Sequence, residues 1–577
     1  MNAIVILILA ALGIGIGYGV YARWVDRRVI EPDFRKVTPA KMYKDDVDFI
    51  PSHRGVLFGY QFQSIAALSP ITGSIVVALR WGWLPALLWI VLGTFFIGWV
   101  QDYATSVMTM REGGKTLGGL GHTLISSRAR TILLVFIYCY LWLGMGAFGK
   151  IVGYDLFTNP RVPFGTLTVI VLGILAGQMI YKWKMNIVPT TVIAVVVSLV
   201  GIWVGTRDPV AHIFAGLNSA LGEIGAHYFW STITLLICYF GAVLPIWRWA
   251  QPINFVSFWI IALGMLGAVL GVLIWHPALP VDFPAFTDWN GQIGGRVLRW
   301  PLWPFLPITL AGGAISGWHG LVSNFSTARQ IERETDALPV SGGAMFLEAF
   351  LAIIALLAGV AGVGATGGLG FAKYMELLAT GETGSVFTAG LAQLLSHIAV
   401  PTDLGAAYGS VFLTVMALTT MQLMMRFMRM VGAEMLGDSV AVTKNVHVGS
   451  SVALILSATL IWTGLWTRVW VLFGSSNQLL ASLALLLATV WLIRERKPSA
   501  WILVPFVFLY LTAIVALILT IGRSLTLIAG ATVDAIIGNT VTAGLSVTLV
   551  ICALILGYDG VRAIQRYRAT SRPPQSE

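Results

Sequence analysis

The sequence predicts an all-α polytopic membrane protein with about fifteen transmembrane helices. Of its 577 residues, 57% are hydrophobic and only 11% are charged, whereas soluble domains carry about 25% charged residues. The mean hydropathy is +0.82, and a soluble fold of this length needs a polar surface that this composition cannot supply. The 22 Trp and 62 Gly residues are typical of aromatic belts at membrane interfaces and of closely packed membrane helices.

Fifteen stretches are long and apolar enough for a helix that crosses the hydrocarbon core, which takes about 20 residues. The first stretch has no positively charged start and no clear cleavage site, so it is predicted to be a retained helix rather than a signal peptide. Residues 385–400 are apolar but short, and they are predicted to form an interfacial or re-entrant piece. The predicted spans are residues 2–22, 56–79, 82–108, 131–153, 164–181, 186–205, 228–247, 254–275, 302–323, 341–366, 405–425, 449–467, 470–493, 499–521 and 540–560.

The distribution of basic residues predicts the orientation of the chain. Most of the 36 Lys and Arg residues fall in alternate loops, beginning with the loop after the first helix. The positive-inside rule therefore places the N-terminus outside and the C-terminus in the cytoplasm. The net charge of +10 is explained by this topology and by contact with membrane lipids, so no nucleic-acid partner is expected. The basic tail from Arg562 to Glu577 is predicted to be disordered near anionic headgroups.

The spans divide the chain into five parts. Because the two central sets each hold five helices, an odd number, the second set is inverted relative to the first. This arrangement is a predicted five-plus-five inverted repeat, although no sequence similarity between the two sets is visible. The parts are an N-terminal helix with a basic cytoplasmic loop (1–55), a first five-helix repeat (56–205), a second repeat (206–430), four additional helices (431–561) and the tail (562–577).

Interrupted helices indicate where a substrate binds. Pro70 and Gly73 break the first span of the first repeat, and Pro245 stands at the corresponding place in the second repeat. Paired breaks in inverted halves are typical of the midplane site of a transporter. A third flexible and polar stretch runs from Gly312 to Gly320. The polar residues predicted to hydrogen-bond the substrate beside Pro70 are Tyr60, Gln61, Gln63 and Ser64.

Ionisable residues inside predicted spans are functional candidates because burying a charge in the bilayer is costly. Lys150 either extends to the membrane surface or neutralises a substrate carboxylate and takes part in coupling. His319 either packs in the core or contacts substrate, and Ser316 shares its helix face. Asp102 is a candidate for coupling, with Ser316 and Lys150, whereas Glu348 is predicted to be structural.

Metal and enzyme chemistry are not indicated. Cys139, Cys238 and Cys552 lie far apart in apolar stretches, and no metal-binding motif of recognised spacing is present. No nucleophile–base pair at usable spacing is evident, so the chain is not expected to be an enzyme. No cofactor is expected beyond a coupling proton or sodium ion.

Several motifs together resemble the carbon starvation protein A family, in the order in which that family carries them. This resemblance covers most of the chain from about residue 30 to residue 495. It implies an inner-membrane importer of peptides or pyruvate, with a fold similar to that of the amino acid–polyamine–organocation transporters. The motifs are Val56–Gly73, Gln101-Asp102-Tyr103, Gly313–His319, Glu334–Ala337 with Gly343-Ala-Met, and Leu472–Gln478.

The chain also departs from the family pattern. The family usually has His at the position of Tyr60, Gly at Ala67 and Ser69, and Pro at Ser74. The helix at 405–425 typically ends in Leu-Asp-x-x-Thr-Arg, but here Gln422 replaces the Asp and Met425 replaces the Thr. A long insertion before that helix and extra N-terminal spans are also absent from this sequence. If the missing carboxylate serves ion coupling in relatives, coupling here needs another group.

The sequence therefore predicts a secondary active transporter of the plasma membrane that imports a small carboxylate-bearing nutrient during carbon starvation. Helix N-termini exposed at the breaks favour an anionic group. The expected partners are a peptide or pyruvate, a coupling cation and membrane lipids. The alternative is a nutrient receptor that binds such a ligand without transporting it. A channel is the least favoured class, since no repeated pore loop or charge ring is visible.

Overall fold

The structure is a computed structural model that describes residues 1–280, 283–293, 296–297, 300–363, 383–466, 471–528 and 532–570. Within these residues the chain is almost entirely helical, with one small antiparallel pairing of Gln292–Ile293 and Arg296–Val297. Twelve of the described helices are long and apolar enough to cross a membrane. They are Ala3–Ile30, Trp83–Arg111, Ser127–Leu156, Pro163–Lys182, Ile187–Gly205, Asp208–Val243, Ala250–Trp275, Glu334–Gly362, Thr402–Leu436, Leu472–Arg494, Ala500–Thr526 and Ala535–Ala569.

The interruption predicted at Pro70 is confirmed. The chain forms two helices, Arg54–Ile65 and Ser69–Trp81, which meet at an angle of 44°. Pro70 stands in the first turn of the second helix, where its missing N–H costs nothing but where its ring prevents a continuous helix. We call this pair the first broken helix, and counting it as one span raises the number of described spans to 13.

The predicted span 302–323 is interrupted, as the flexible and polar stretch from Gly312 to Gly320 indicated. It consists of Leu302–Thr309 and Gly317–Phe325, which we call the second broken helix. A further predicted span, 449–467, is a helix of 17 residues, Val446–Trp462. These two segments fall below the length of an unbroken span, so the predicted count of about fifteen is not confirmed.

Pro245 does not interrupt a helix, contrary to the prediction. The segment Asp208–Val243 consists of two helices that meet in a kink at Gly222, where φ is 68° and ψ is 169°. The second of them ends before Pro245, with Leu244 in an extended conformation. A proline just beyond a helix C-terminus blocks further helix. Whether the chain then resumes along the same axis is decided by packing, and here it turns and enters Ala250–Trp275. The second interruption lies in the second broken helix instead.

The C-terminal prediction is also corrected in part. The last described helix extends from Val533 to Thr570, so the basic residues 562–570 are helical rather than disordered. Asp559 in this helix pairs with Arg128, which ties it to the bundle. Residues 571–577 lie outside the described residues. The short apolar segment predicted at 385–400 forms the helix Thr383–Ser396.

Lipid-facing surfaces are recognisable by their exposed apolar side chains. In Ile187–Gly205, four valines recur every fourth residue and are at least half exposed. This spacing places them on one face of the helix. A continuous exposed apolar stripe of this kind suits contact with lipid. The four are Val188, Val192, Val196 and Val200.

Loops that were predicted to lie on one side of the membrane meet on one face of the bundle, which we call the basic face. Arg111 Nε lies 2.6 Å from Glu334 Oε1, and Lys497 Nζ lies 3.0 Å from Glu31 Oε2. On the opposite face, the loop after Ala250–Trp275 contacts the start of the chain, where Asn2 pairs with Ala278. The grouping of the loops follows the prediction, although it does not decide which face is cytoplasmic.

Candidate functional site

The interruptions of the two broken helices contact each other. The backbone N–H of Gly312 donates to Ser69 Oγ at 2.9 Å. A Cβ atom added at Gly73 would come within 2.7 Å of the Thr309 carbonyl oxygen, closer than real Cβ contacts allow. Glycine at this position therefore lets the two broken helices cross next to Pro70. Since unpaired backbone is costly at membrane depth, the crossing of two interruptions marks a polar part of the bundle interior.

The basic-face half of the first broken helix presents polar side chains to the second one. Tyr60 Oη and Ser326 Oγ lie 2.5 Å apart. Gln61 Nε2 donates to Ser323 Oγ at 3.3 Å, and its Oε1 accepts from Thr327. These side chains are buried. Tyr60 and Gln61 therefore join the two broken helices.

Gln63 and Ser64 connect the same helix to two other spans. Gln63 Nε2 donates to Thr419 Oγ1 at 3.0 Å. Asn254 Nδ2 donates to Ser64 Oγ, and Gln422 Nε2 donates to Asn254 Oδ1, both at 2.8 Å. The residue that replaces the family's usual Asp is thus part of a buried polar chain. In this structure these groups bond to one another.

A single asparagine caps the start of Gly317–Phe325. Asn477 Oδ1 accepts from the Trp318 backbone N–H at 3.1 Å and from the Tyr140 hydroxyl at 2.8 Å. Its Nδ2 lies 3.0 Å from Ser316 Oγ, while Gln101 Nε2 donates to the Ser316 carbonyl at 2.7 Å. The helix N-terminus that was expected to be free for an anion is occupied by a neutral amide.

Three ionisable side chains meet beside this capped end, and we call them the buried triad: Asp102, His319 and Glu348. His319 Nδ1 lies 3.4 Å from Asp102 Oδ2, and its Nε2 lies 3.2 Å from Glu348 Oε2. The three side chains are at most 1% exposed, and neither contact has the geometry of a hydrogen bond. They come from three different helices, so the fold rather than local sequence assembles them.

Lys150 and Pro245 lie elsewhere. Lys150 Nζ contacts both carboxylate oxygens of Asp155 at 2.6 Å and stands 5.9 Å from the centre of the Trp466 ring. Its side chain is 30% exposed. Pro245 follows Leu244, whose carbonyl accepts a hydrogen bond from Arg426. Neither residue contacts an interruption through these interactions.

A buried ion pair closes the bundle at the basic face. Arg426 is 1% exposed, and its Nη2 lies 2.5 Å from Asp48 Oδ1. Its Nη1 donates to the carbonyl oxygens of Gly241 and Leu244 at 3.0 and 2.7 Å. Burial raises the pKa of Asp48, but the guanidinium groups of Arg426 and Arg429 outweigh burial and lower this pKa to about 2.

Asp48 belongs to a segment, residues 45–53, that covers the ends of several helices at the basic face. The backbone N–H of Ile50 donates to the Arg329 carbonyl at 3.3 Å, and that of Ser52 donates to the Gln330 carbonyl at 3.0 Å. We call this segment the closing segment. It pairs with residues 329 and 330, just beyond the C-terminal end of the second broken helix, and so closes the bundle there.

Sequence reasoning found part of this site. It selected Asp102, His319 and Ser316, but it assigned Glu348 a structural role. It used Asn477 and Gln478 only as signs of resemblance. The signal that finds them is the same one that selected Asp102, namely strongly polar side chains inside an apolar span. Among the described residues, no group of His, Cys, Asp or Glu is arranged to hold a metal ion.

Comparisons with known proteins match the chain to one family. The family model described as carbon starvation protein CstA matches residues 2–364 and 372–516. The peptide transporter CstA of Bacillus subtilis (strain 168) is 28% identical over 557 residues, which cover 89% of each chain. The pyruvate/proton symporter BtsT of Escherichia coli (strain K12) is 25% identical over 576 residues, covering 85% of this chain and 78% of the symporter. A crystal structure of the Eremococcus coleocola manganese transporter aligns with 91% of this chain and 99% of its own, at 14% identity and a TM-score of 0.43.

Proposed function

The chain belongs to the carbon starvation protein CstA family, and from this membership we propose that it is a secondary transporter importing a peptide or pyruvate. Two curated relatives are named as a peptide transporter and a pyruvate/proton symporter. The observation that carries the proposal is the crossing of two broken helices, with buried polar groups on either side of the crossing. Such a crossing supplies backbone and side-chain groups that can bind a small polar substrate inside a membrane.

The substrate carboxylate binds near the N-terminus of Gly317–Phe325 in this proposal. A helix N-terminus favours an anion by about 0.3–1 kcal/mol at exposed positions and by more where water is excluded. Here the Trp318 N–H is held by Asn477, so the carboxylate competes with a neutral amide for that donor. Tyr60 and Gln61, which bridge the broken helices, are placed to bond the remaining polar atoms of the substrate.

Transport proceeds by alternating access. The polar residues at the crossing are buried, and the closing segment is fastened to Arg426. Substrate exchange on the basic face therefore requires the Asp48–Arg426 contact to open. We further propose that the basic face is cytoplasmic, which retains the predicted outside N-terminus and cytoplasmic C-terminus.

The inverted repeat is part of the same proposal. The contact between the two interruptions pairs the first broken helix with 302–325, the third predicted span of the second half (206–430), rather than with its first span, 228–247. The two halves would then move relative to each other about the crossing. Lys150 remains a candidate for neutralising the substrate carboxylate in a conformation in which it leaves Asp155.

The test is uptake of labelled pyruvate and of a labelled dipeptide into proteoliposomes, with and without proton and sodium gradients. Accumulation that disappears when one gradient is collapsed supports a coupled transporter and identifies the ion. Binding without flux would refute transport and leave a receptor. Neither binding nor flux of either compound would refute the proposed substrate classes. The variant D438N is the control, because Asp438 is 86% exposed and lies away from the crossing.

A further inference from the structure

We propose that the buried triad, Asp102, His319 and Glu348, is the proton-binding site that couples transport to a proton gradient. The site has this role only if the chain is a transporter, as proposed above. It would replace the carboxylate that relatives usually carry where this chain has Gln422. The ligands are protons, which bind to an imidazole and two carboxyl groups.

The composition of the buried triad makes its proton content variable. With both carboxylates ionised and the imidazole neutral, the cluster carries two negative charges at 0–1% exposure. An uncompensated buried charge costs several kcal/mol. The closed conformation therefore favours uptake of two protons, which brings the net charge of the cluster to zero. Entry of water in an open conformation stabilises the charged forms and favours release.

Within the part of the chain that the structure describes, the ionisable groups within ion-pair distance of His319 are Asp102 and Glu348. The neighbouring tyrosines are occupied, since Tyr103 donates to Asp26 and Tyr60 is bonded to Ser326. A protonated imidazole between the carboxyl groups would also repel a sodium ion, so the geometry favours a proton over a metal cation.

The buried triad is mechanically joined to the second interruption. His319 lies in the first turn of Gly317–Phe325, next to the Trp318 N–H that Asn477 caps. Asp102 follows Gln101, whose amide holds the Ser316 carbonyl. A change of protonation that shifts His319 or Asp102 therefore alters the hydrogen bonds of the proposed carboxylate site.

Glu348 connects the buried triad to the crossing from the other side. Ala352, one helical turn after Glu348, packs against Gly313, where an added Cβ would lie 2.8 Å from the Ala352 Cβ. Gly313 belongs to the interruption of the second broken helix. The three helices that supply the buried triad thus all touch this interruption or the segment that begins there, which is the arrangement that coupling requires.

The experiment separates substrate exchange from proton-driven accumulation. Proteoliposomes containing wild type, D102N, E348Q or D438N are assayed for counterflow of labelled pyruvate and dipeptide, and for accumulation driven by an imposed pH gradient. We expect E348Q and D102N to lose gradient-driven accumulation, down to the level without a gradient, while counterflow continues. D438N should match wild type in both assays.

A second measurement covers variants that lose counterflow. Purified, monodisperse wild type, E348Q and D102N are each mixed with substrate in weak buffer. A pH indicator records the protons taken up or released on binding, as a function of pH from 5 to 8. Wild type should show a proton exchange that E348Q lacks. Proton-driven accumulation or proton exchange that persists in both E348Q and D102N would overturn the assignment. So would wild-type accumulation that follows sodium alone, and in that case the transporter function would still stand. Absence of wild-type flux and counterflow would refute the proposed function itself.

Discussion

Replacing Asp48 by asparagine is expected to open the basic face of the protein. The Asp48 carboxylate is the counter-charge of Arg426, a guanidinium that is almost completely buried. Because the pKa of Asp48 is lowered from 3.8 to about 2, its ionised form is favoured in the closed structure. The shift corresponds to about 2.5 kcal/mol, or roughly a 60-fold change in an equilibrium, at 1.36 kcal/mol per pKa unit.

The direction of the pKa shift determines the pH range in which the ion pair stabilises the closed structure. The pKa in the closed structure lies below that of the free side chain, so the stabilisation is fully present above about pH 4 and is lost as the pH falls towards 2. At neutral pH the whole contribution is therefore present in wild type and absent in D48N. Leaving a buried partner without its counter-charge costs about 3–5 kcal/mol in proteins, so the figure from the pKa is a lower estimate.

The assay is thiol labelling of a cysteine placed at Ile50, a buried residue of the closing segment. The background carries serine at Cys139 and Cys552, while Cys238 is buried. If labelling requires transient opening, its rate should rise about 60-fold in D48N, following the lost pKa shift. The matched control is D46N, because Asp46 is an exposed acid of the same segment whose carboxylate lies 3.4 Å from Lys44 Nζ. Equal labelling rates in D48N and wild type would refute the idea that this ion pair holds the segment closed.

Three further outcomes are expected. N477A should lower the free energy of unfolding of the purified protein by about 1–3 kcal/mol, since the Trp318 N–H and two hydroxyl groups lose a buried partner. An unchanged unfolding temperature would contradict the capping role. G98A should reduce the yield of folded protein, because its Cβ would overlap the Ala314 carbonyl oxygen. The control G15A should not reduce the yield, because no atom lies within 4 Å of its added Cβ. Equal yields measured by size-exclusion chromatography would count against the close packing at Gly98. K150M should abolish uptake while the folded protein stays abundant, and full uptake would remove Lys150 from the mechanism.

The first interruption could be predicted because its cause is local. Pro70 lacks a backbone N–H and its ring excludes a continuous helix, whatever surrounds it. Pro245 is chemically the same residue, but the prediction there was wrong. A proline shows only that a helix cannot pass through it. Whether the chain continues across the membrane or turns depends on what the following residues contact, and here the turn at Leu244 is held by Arg426 from a distant helix.

The buried triad too could be predicted only in part from the sequence. Asp102 and His319 were recognisable as functional candidates because an ionisable group inside an apolar span is costly. Glu348 was not recognised, since a single carboxyl group two turns inside a helix gives no indication of its partner. Each residue can serve the proposed proton site only together with the other two. Their spacing along the chain does not predict that they meet.

The sequence by itself determined the membrane class of this protein, the approximate extent of most helices and the first interruption. These follow from composition, apolar run length and proline geometry, which act over at most a few helical turns. The tertiary structure alone decided that the interruption at 310–316, rather than Pro245, crosses the first one, that Asn477 caps the following helix and that Glu348 completes the buried triad. The crossing and the cap join residues more than a hundred positions apart. The energy of all these contacts depends on how whole helices pack, which no local pattern encodes.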